Sequence, residues 1–232
     1  MKKLLFRGKD LRNLSILPSN SIYFATLLTM VGGFLDAYAF MTKDGVFANV
    51  QTGNFVFFGI NLIEGKIDQA FHFIPPIIAF MLGVAVTENL KCKQELRVAG
   101  ISGRTIIFME VVLFGVIGFI PSSVSNILTT SILSFAASLQ YSYFRKIANT
   151  VYSNTMVTGD LLTVTKSIYY AISRKDKEAA IQSCMFIIII SFFVIGVLLG
   201  AFLVQIYANQ AIFFVCIPLF IVGILYKSSS RV

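Results

Sequence analysis

Three carboxylates of this sequence lie within apolar runs: Asp36, Glu110 and Asp160. A charged side chain inside a lipid-embedded helix costs roughly 2.5–3.5 kcal/mol on insertion scales, and it usually has a function. Such a group can carry a proton, hold a cation, or accept hydrogen bonds from backbone amides at a helix break. The residue types therefore indicate proton or cation chemistry, and the positions of the helices decide which side chains take part.

Two polar clusters resemble each other: FANVQTGN at 47–54 and YSNTMVTGD at 152–160. Glycine lets a ligand or another helix come close, and Thr and Asn can satisfy backbone groups freed by a break. A helix that begins here directs its free N–H groups at the middle of the bilayer, which favours a small anion or polar solute. The predicted binding residues of the clusters are Asn49, Thr52, Gly53, Asn54, Asn154, Thr158, Gly159 and Asp160.

Tight helix packing is the alternative, and it accounts for Gly and Thr better than for the amides and Asp160. Asp36 and Gln140 complete the predicted solute-binding set. For Asp36 the alternatives are a cap on a broken helix and a neutral hydrogen-bonded acid. Glu110 is predicted either to carry a coupling proton or to hydrogen-bond a neighbouring helix.

Composition indicates the class of protein. Of the 232 residues 56% are hydrophobic and 13% are charged, and a soluble domain could not hide so much apolar surface. The net charge of +8 comes from loops and tails, which argues against a nucleic-acid partner. The three cysteines and the single histidine, His72, have no metal-ligand spacing. We therefore expect no metal, cofactor or catalytic group, and no enzyme.

Apolar runs near 20 residues predict six spans, at 21–42, 70–90, 105–120, 125–144, 181–204 and 211–227. The segments 45–63 and 150–171 are ambiguous. If both dip into the bilayer and return, all Lys and Arg except Lys43 and Lys66 lie inside, as the positive-inside rule expects. The pattern predicts an all-α polytopic protein with six spans, two re-entrant or broken helices and both termini cytoplasmic.

Internal similarity divides the chain in two. GGFLDAYAF aligns with AASLQYSYF, which pairs Asp36 with Gln140, and the Thr-Gly motifs follow in the same order. MLGVAV then aligns with VIGVLL, and IIFMEVVLF with IFFVCIPLF. We predict a cytoplasmic tail at 1–19 and a single membrane domain made of a first half, 20–120, and a second half, 124–228. Three crossings per half give the halves opposite orientation.

The quoted residues resemble a known family. GFLDAYAF and GVFANVQTGNFVFFG, followed by SLQYSYFRK and NTMVTGDL, are similar to the YoaK family of bacterial membrane proteins, a family defined by a domain of unknown function. The resemblance covers essentially the whole chain. It implies a small multi-span membrane protein without a settled substrate.

The function expected from these patterns is transport of a small polar or anionic solute through the cytoplasmic (inner) membrane, by a transporter or channel coupled to protons or cations. A membrane-embedded enzyme acting on a lipid-soluble substrate is the second hypothesis, and a sensor or assembly factor is the third. The lipid bilayer is the expected partner, and a homo-oligomer remains open. Gly196 and Gly200 form a G-x-x-x-G that predicts a packing face.

Overall fold

The computed structural model describes residues 17–18, 22–95, 103–121, 125–144, 146–147, 150–151 and 157–227. In this part the helices are α1 (Ile22–Thr42), α2 (Gln51–Ile63), α3 (Ile67–Phe71), α4 (Ile74–Glu95), α5 (Gly103–Phe119), α6 (Asn126–Tyr143), α7 (Val157–Ser173), α8 (Lys177–Tyr207) and α9 (Ile212–Leu225). β1 (Leu17–Pro18) pairs in parallel with β4 (Tyr226–Lys227), and β2 (Lys146–Ile147) pairs antiparallel with β3 (Thr150–Val151). Apart from these two-residue pairings the fold is helical, and the predicted all-α class is confirmed.

Each predicted span coincides with a helix, namely α1, α4, α5, α6, α8 or α9. Three stretches are long and apolar enough to cross a membrane: Ile22–Thr42, Ile67–Cys92 and Lys177–Ile224. The third contains α8 and α9, which a 3-10 turn at Ala208–Ala211 separates. Because α5 has 17 residues and α9 has 14, against about 20 for a typical span, the number of crossings stays a prediction.

The long helices pack in pairs of helices that are distant in the sequence. α1 packs along α8 and α4 packs along α6, and these are the two most extensive helix contacts. Within both pairs the helices run parallel, because successive contacts ascend along both partners. α5 packs on α9 and on α6, and α1 also packs on α9. α7 forms a hairpin with α8, whereas α2 packs on α3 and α4.

Glycines allow the two long pairs to approach closely. A Cβ at Gly196 of α8 would collide with the Met30 carbonyl of α1. A Cβ at Gly83 of α4 would collide with the Ser138 hydroxyl and approach the Phe135 carbonyl of α6. Small residues at such positions let helix backbones meet. The packing role predicted for the G-x-x-x-G of α8 is therefore confirmed.

The bundle is closed at the end where α1 begins. The rings of Phe24, Phe144 and Tyr226 pack together there, with centroids 5.0–6.0 Å apart. The Lys91 ammonium donates to the Ser142 carbonyl at 2.6 Å and pairs with Glu88 at 2.8 Å. Ser142 also donates its hydroxyl to Glu88 at 2.8 Å, so these bonds tie α4 to the end of α6.

Candidate functional site

The chain turns back into the bundle after α1. The Asn49 backbone N–H donates to Asp36 Oδ1 at 2.8 Å, and Asn49 Nδ2 donates to the Gly32 carbonyl at 3.2 Å. α2 then begins at Gln51. The Phe57 ring stacks 5.8 Å from Phe73, just before α4. The loop therefore reaches the middle of α1, and α2 leads back to the end where α1 finishes.

The Asp36 carboxylate accepts hydrogen bonding from the backbone at the start of α2. Its side chain is 4% exposed, and the amides of Ala48, Asn49 and Val50 face its carboxylate. These amides lie at the start of α2, where backbone N–H groups lack partners within the helix. The contacts agree with the capping alternative. Asp36 Oδ2 and Asn49 Oδ1 have no hydrogen-bond partner among the described residues.

Asn54 holds the same loop from the other side. Its Nδ2 donates to the Phe47 carbonyl and to Gln51 Oε1, each at 2.9 Å, and its Oδ1 accepts from the Phe47 N–H at 2.9 Å. Gly53 admits the Phe47 ring, since a Cβ there would lie 2.8 Å from it. Thr52 is exposed on the outer face of α2. Asn54 and Gly53 therefore hold the loop before α2 in place through Phe47, whereas Thr52 does not contribute to these contacts.

The second Thr-Gly motif opens α7. Asp160 is buried in the first turn of this helix, and Thr158 and Gly159 are exposed. Asn154 lies outside the described residues. Ser167 of α7 donates to Gln182 of α8 at 2.8 Å, so α7 ends beside the start of α8 and begins deeper in the bundle. α7 packs on α8 whereas α2 packs on α3 and α4, so the two motifs belong to different helix pairs.

The halves exchange one carboxylate for one amide. In the first half Asp36 faces the start of α2 and Asn54 lies in its first turn. In the aligned positions of the second half stand Gln140 and Asp160. An acidic group stabilises a helix N-terminus, where the macrodipole is positive. Asp36 and Asp160 thus stand near the starts of α2 and α7, at exchanged positions of the aligned segments, where a carboxylate is favourable.

Glu110 has no comparable explanation. Its side chain is fully buried, with 0% exposure, and neither carboxylate oxygen has a hydrogen-bond partner in the described part of the chain. It lies in the middle of the buried stripe of α5, among Ile106, Ile107 and Phe114. That stripe faces α6 and α9, which both belong to the second half. Glu110 is the residue of the predicted set that stands at the contact between the halves without a visible partner.

A polar cleft that was not predicted from the sequence lies at the open end of the bundle, where α1 ends. The cleft has a volume of about 440 Å³ and is lined by Asp44, Asn61, Gln69, His72 and Phe73. His72, which has no metal-ligand spacing in the sequence, lies on this lining. The signal available was the density of polar residues in the turns around α3, which is also normal for a surface loop.

Lys43 lies beside this cleft and is buried. Its Nζ donates to Asn209 Oδ1 at 2.9 Å. Burial lowers the pKa of the Lys43 ammonium, and the neighbouring Asp44 carboxylate partly opposes this effect. The Lys43 charge is therefore held inside the protein wall.

A comparison with protein families identifies a relationship over most of the chain. The model described as "Protein of unknown function (DUF1275)" matches residues 24–225, from α1 to the end of α9. Comparisons with curated proteins and with solved structures gave no match. The chain therefore belongs to the DUF1275 family, which confirms the resemblance that its GFLDAYAF segment and Thr-Gly motifs bear to the YoaK family.

Proposed function

We propose that this protein is a membrane transporter for a small polar solute, in which Glu110 carries the coupling proton. The observation that carries the proposal is the complete burial of Glu110 without a hydrogen-bond partner among the described residues. A buried, unpaired carboxylate costs several kcal/mol, whereas a protonated carboxyl costs far less. Ionisable groups inside membrane helices are characteristic of proton relays in pumps and transporters.

The packing of the halves supports a transporter architecture. If α1 corresponds to α6 and α4 to α8, then the α1–α8 contact is the counterpart of the α6–α4 contact. In the same way α5–α6 corresponds to α9–α1, and α5–α9 corresponds to itself. A twofold relation of this kind is expected for inverted repeats over 20–120 and 124–228. In transporters with such repeats one part moves against the other around a central site.

The two short helices fit the same proposal. α2 starts beside the middle of α1, where the Asn49 N–H meets Asp36, and α7 runs back along α8, with Ser167 bonded to Gln182 near the start of α8. Irregular backbone at membrane depth is tolerated when protein covers it, and here Asp36 and Asn54 satisfy its amides. We infer that α2 and α7 are re-entrant, that six helices cross the cytoplasmic membrane, and that both termini are cytoplasmic.

The coupling step follows from this position. With Glu110 between α5, α6 and α9, the buried state favours the protonated side chain. A movement of the halves that wets the α5–α6 contact would let the proton leave. The ionised group would then oppose a return to the closed arrangement until a proton binds again. Solute and proton movement are thereby linked through one equilibrium.

Osmotic re-swelling of proteoliposomes tests the proposal. Vesicles containing the full-length chain are shocked with glycerol, sorbitol or potassium phosphate at pH 6 and pH 8, and light scattering reports solute entry. We expect pH-dependent entry of at least one solute above protein-free vesicles. Glu110→Gln should remove the pH dependence, and Glu178→Gln, at an exposed position of α8, should keep it. Equal scattering traces for wild type and empty vesicles with every solute would contradict the proposal.

A further inference from the structure

The cleft at the open end of the bundle has the features of a binding site for a small molecule. Its volume of about 440 Å³ is within the range of ligand pockets, about 300–1,000 Å³. It lies between the turn after α1, the end of α2 and the short helix α3. The opposite end of the bundle is closed by the Phe24, Phe144 and Tyr226 rings.

The polar lining is made of planar hydrogen-bonding groups. Asn61 donates through Nδ2 to the Phe57 carbonyl at 2.8 Å, which fixes its side chain and leaves Oδ1 as an acceptor. Asp44 accepts from Asn126 Nδ2 at 2.8 Å through Oδ2, so its other oxygen stays available. Gln69 and His72 add donors and acceptors without a hydrogen-bond partner in the described part of the chain. Together they offer both donors and acceptors within one cleft.

An aromatic surface forms the remaining wall. Phe73 lines the cleft and is 5% exposed. Its ring stacks on Phe57 with a centroid distance of 5.8 Å and an interplanar angle of 22°, and Phe57 in turn stacks on Phe47. Because little of it is exposed, the Phe73 ring offers a small, rigid apolar contact at the base of the cleft, beside the polar groups.

The charges at the cleft indicate whether a charged or a neutral ligand fits it. Lys43 and Asp44 are neighbours of opposite charge, and the Lys43 ammonium is turned into the wall towards Asn209. The charge of Asp44 is thus offset nearby, and the other polar lining groups are carboxamides and an imidazole. A strong anion finds no cationic group among the lining residues, and the attraction of Asp44 for a cation is opposed by the nearby Lys43 ammonium. The cleft instead provides several groups that can bind hydroxyls, next to an apolar contact.

We propose that the cleft binds a neutral polyhydroxylated solute of the size of a polyol or a monosaccharide, which contacts Asp44, Asn61, Gln69 and His72 through its hydroxyls and Phe73 through its carbon chain. This inference rests on the proposed function in one respect: the bound ligand would be the solute that is transported. Binding itself does not require transport, so the two can fail separately.

Equilibrium binding of radiolabelled sorbitol to the full-length chain in detergent tests the inference, with unlabelled glucose, ethanolamine and acetate as competitors. We expect saturable binding of one sorbitol per chain, with competition by glucose and not by the charged compounds. Gln69→Ala and Asp44→Asn should each weaken binding about tenfold, as expected for one lost hydrogen bond to a ligand hydroxyl. Asn at position 44 keeps an acceptor for Asn126 and tolerates its φ of +54°.

Asp68→Asn is the matched control, because Asp68 lies on α3 with Gln69, is exposed and does not line the cleft. Its binding should equal that of the wild type. Absence of saturable sorbitol and glucose binding would overturn the inference, as would stronger competition by ethanolamine or acetate, or full binding by both cleft variants. Sorbitol binding without any solute flux would contradict the transporter proposal and leave the binding site standing.

Discussion

Asn49 and Gln140, one from each half, donate their carboxamide N–H groups to carbonyl oxygens one turn apart on α1. Asn49 binds the Gly32 carbonyl at 3.2 Å, and Gln140 binds the Leu28 carbonyl at 3.1 Å. Both side chains are buried. The middle of α1 therefore binds both the segment that precedes α2, through Asn49, and helix α6, through Gln140. Substitutions of buried polar residues can therefore be tested for their effects on both stability and solute flux.

Asp36→Ala is expected to destabilise the fold by about 1–3 kcal/mol or more, because it leaves buried amides at the start of α2 without an acceptor. Asp36→Asn keeps one acceptor oxygen and should cost less. Thermal unfolding in detergent measures both, with Asp68→Asn as the exposed control. An Asp36→Ala protein that unfolds at the wild-type temperature but transports no solute would assign Asp36 to function instead of capping.

Glu110→Leu is expected to stabilise the protein by about 1–3 kcal/mol, because it replaces a buried polar group that lacks partners with an apolar side chain of similar size. The same variant should lose proton-coupled flux. Unfolding and flux are measured on one preparation. A loss of stability of comparable size would show that Glu110 forms a hydrogen bond that holds the fold together, and the coupling role would then be wrong.

Gly196→Ala should cost about 1–3 kcal/mol, because the added methyl group meets the Met30 carbonyl and must push α8 away from α1. Gly115→Ala on α5 is the matched control, since no atom lies within 4 Å of a Cβ at that position. The control should be neutral or slightly stabilising, because Ala favours helix more than Gly by about 1 kcal/mol. Equal effects of both variants would contradict the close approach of α1 and α8.

The stability of the wild type should rise with pH between the lowered pKa of folded Lys43 and the ordinary lysine value of 10.5. In that range the unfolded chain binds the Lys43 proton and the folded chain does not, so rising pH favours the folded state. Lys43→Met should lack this contribution. The measurement is unfolding free energy against pH for both proteins, and parallel curves above neutral pH would contradict it.

Cys92 tests the proposed orientation. It is exposed on α4 at the closed end of the bundle, which the charge pattern assigns to the cytoplasm. In a variant without Cys184 and Cys216, a membrane-impermeant maleimide should label Cys92 in inside-out vesicles and not in intact cells. Lys66→Cys, at an exposed position beyond α2, should show the opposite pattern when it replaces Cys92. Labelling of both sites from one side would refute the six-crossing topology.

Much of the helical frame could be predicted from the sequence. Apolar runs located α1, α4, α5, α6, α8 and α9, because the length of an apolar segment limits where a long helix can form. The weak helix formers around Thr52 and Thr158 located the starts of α2 and α7. The outward direction of the two threonines was not predicted, since it depends on which helix each short segment packs against.

The sequence by itself determined the apolar class, the family and the order of helices, because these follow from composition and local pattern. Only the tertiary structure decided what the polar residues do. Asp36 and Asp160 looked equivalent to Glu110 along the chain, yet Asp36 faces the amides that open α2 and Asp160 lies in the first turn of α7. Glu110 faces α6 and α9 without a partner among the described residues. Whether a buried carboxylate has a hydrogen-bond partner depends on residues that are distant in the sequence, and only the folded chain brings these residues close to it.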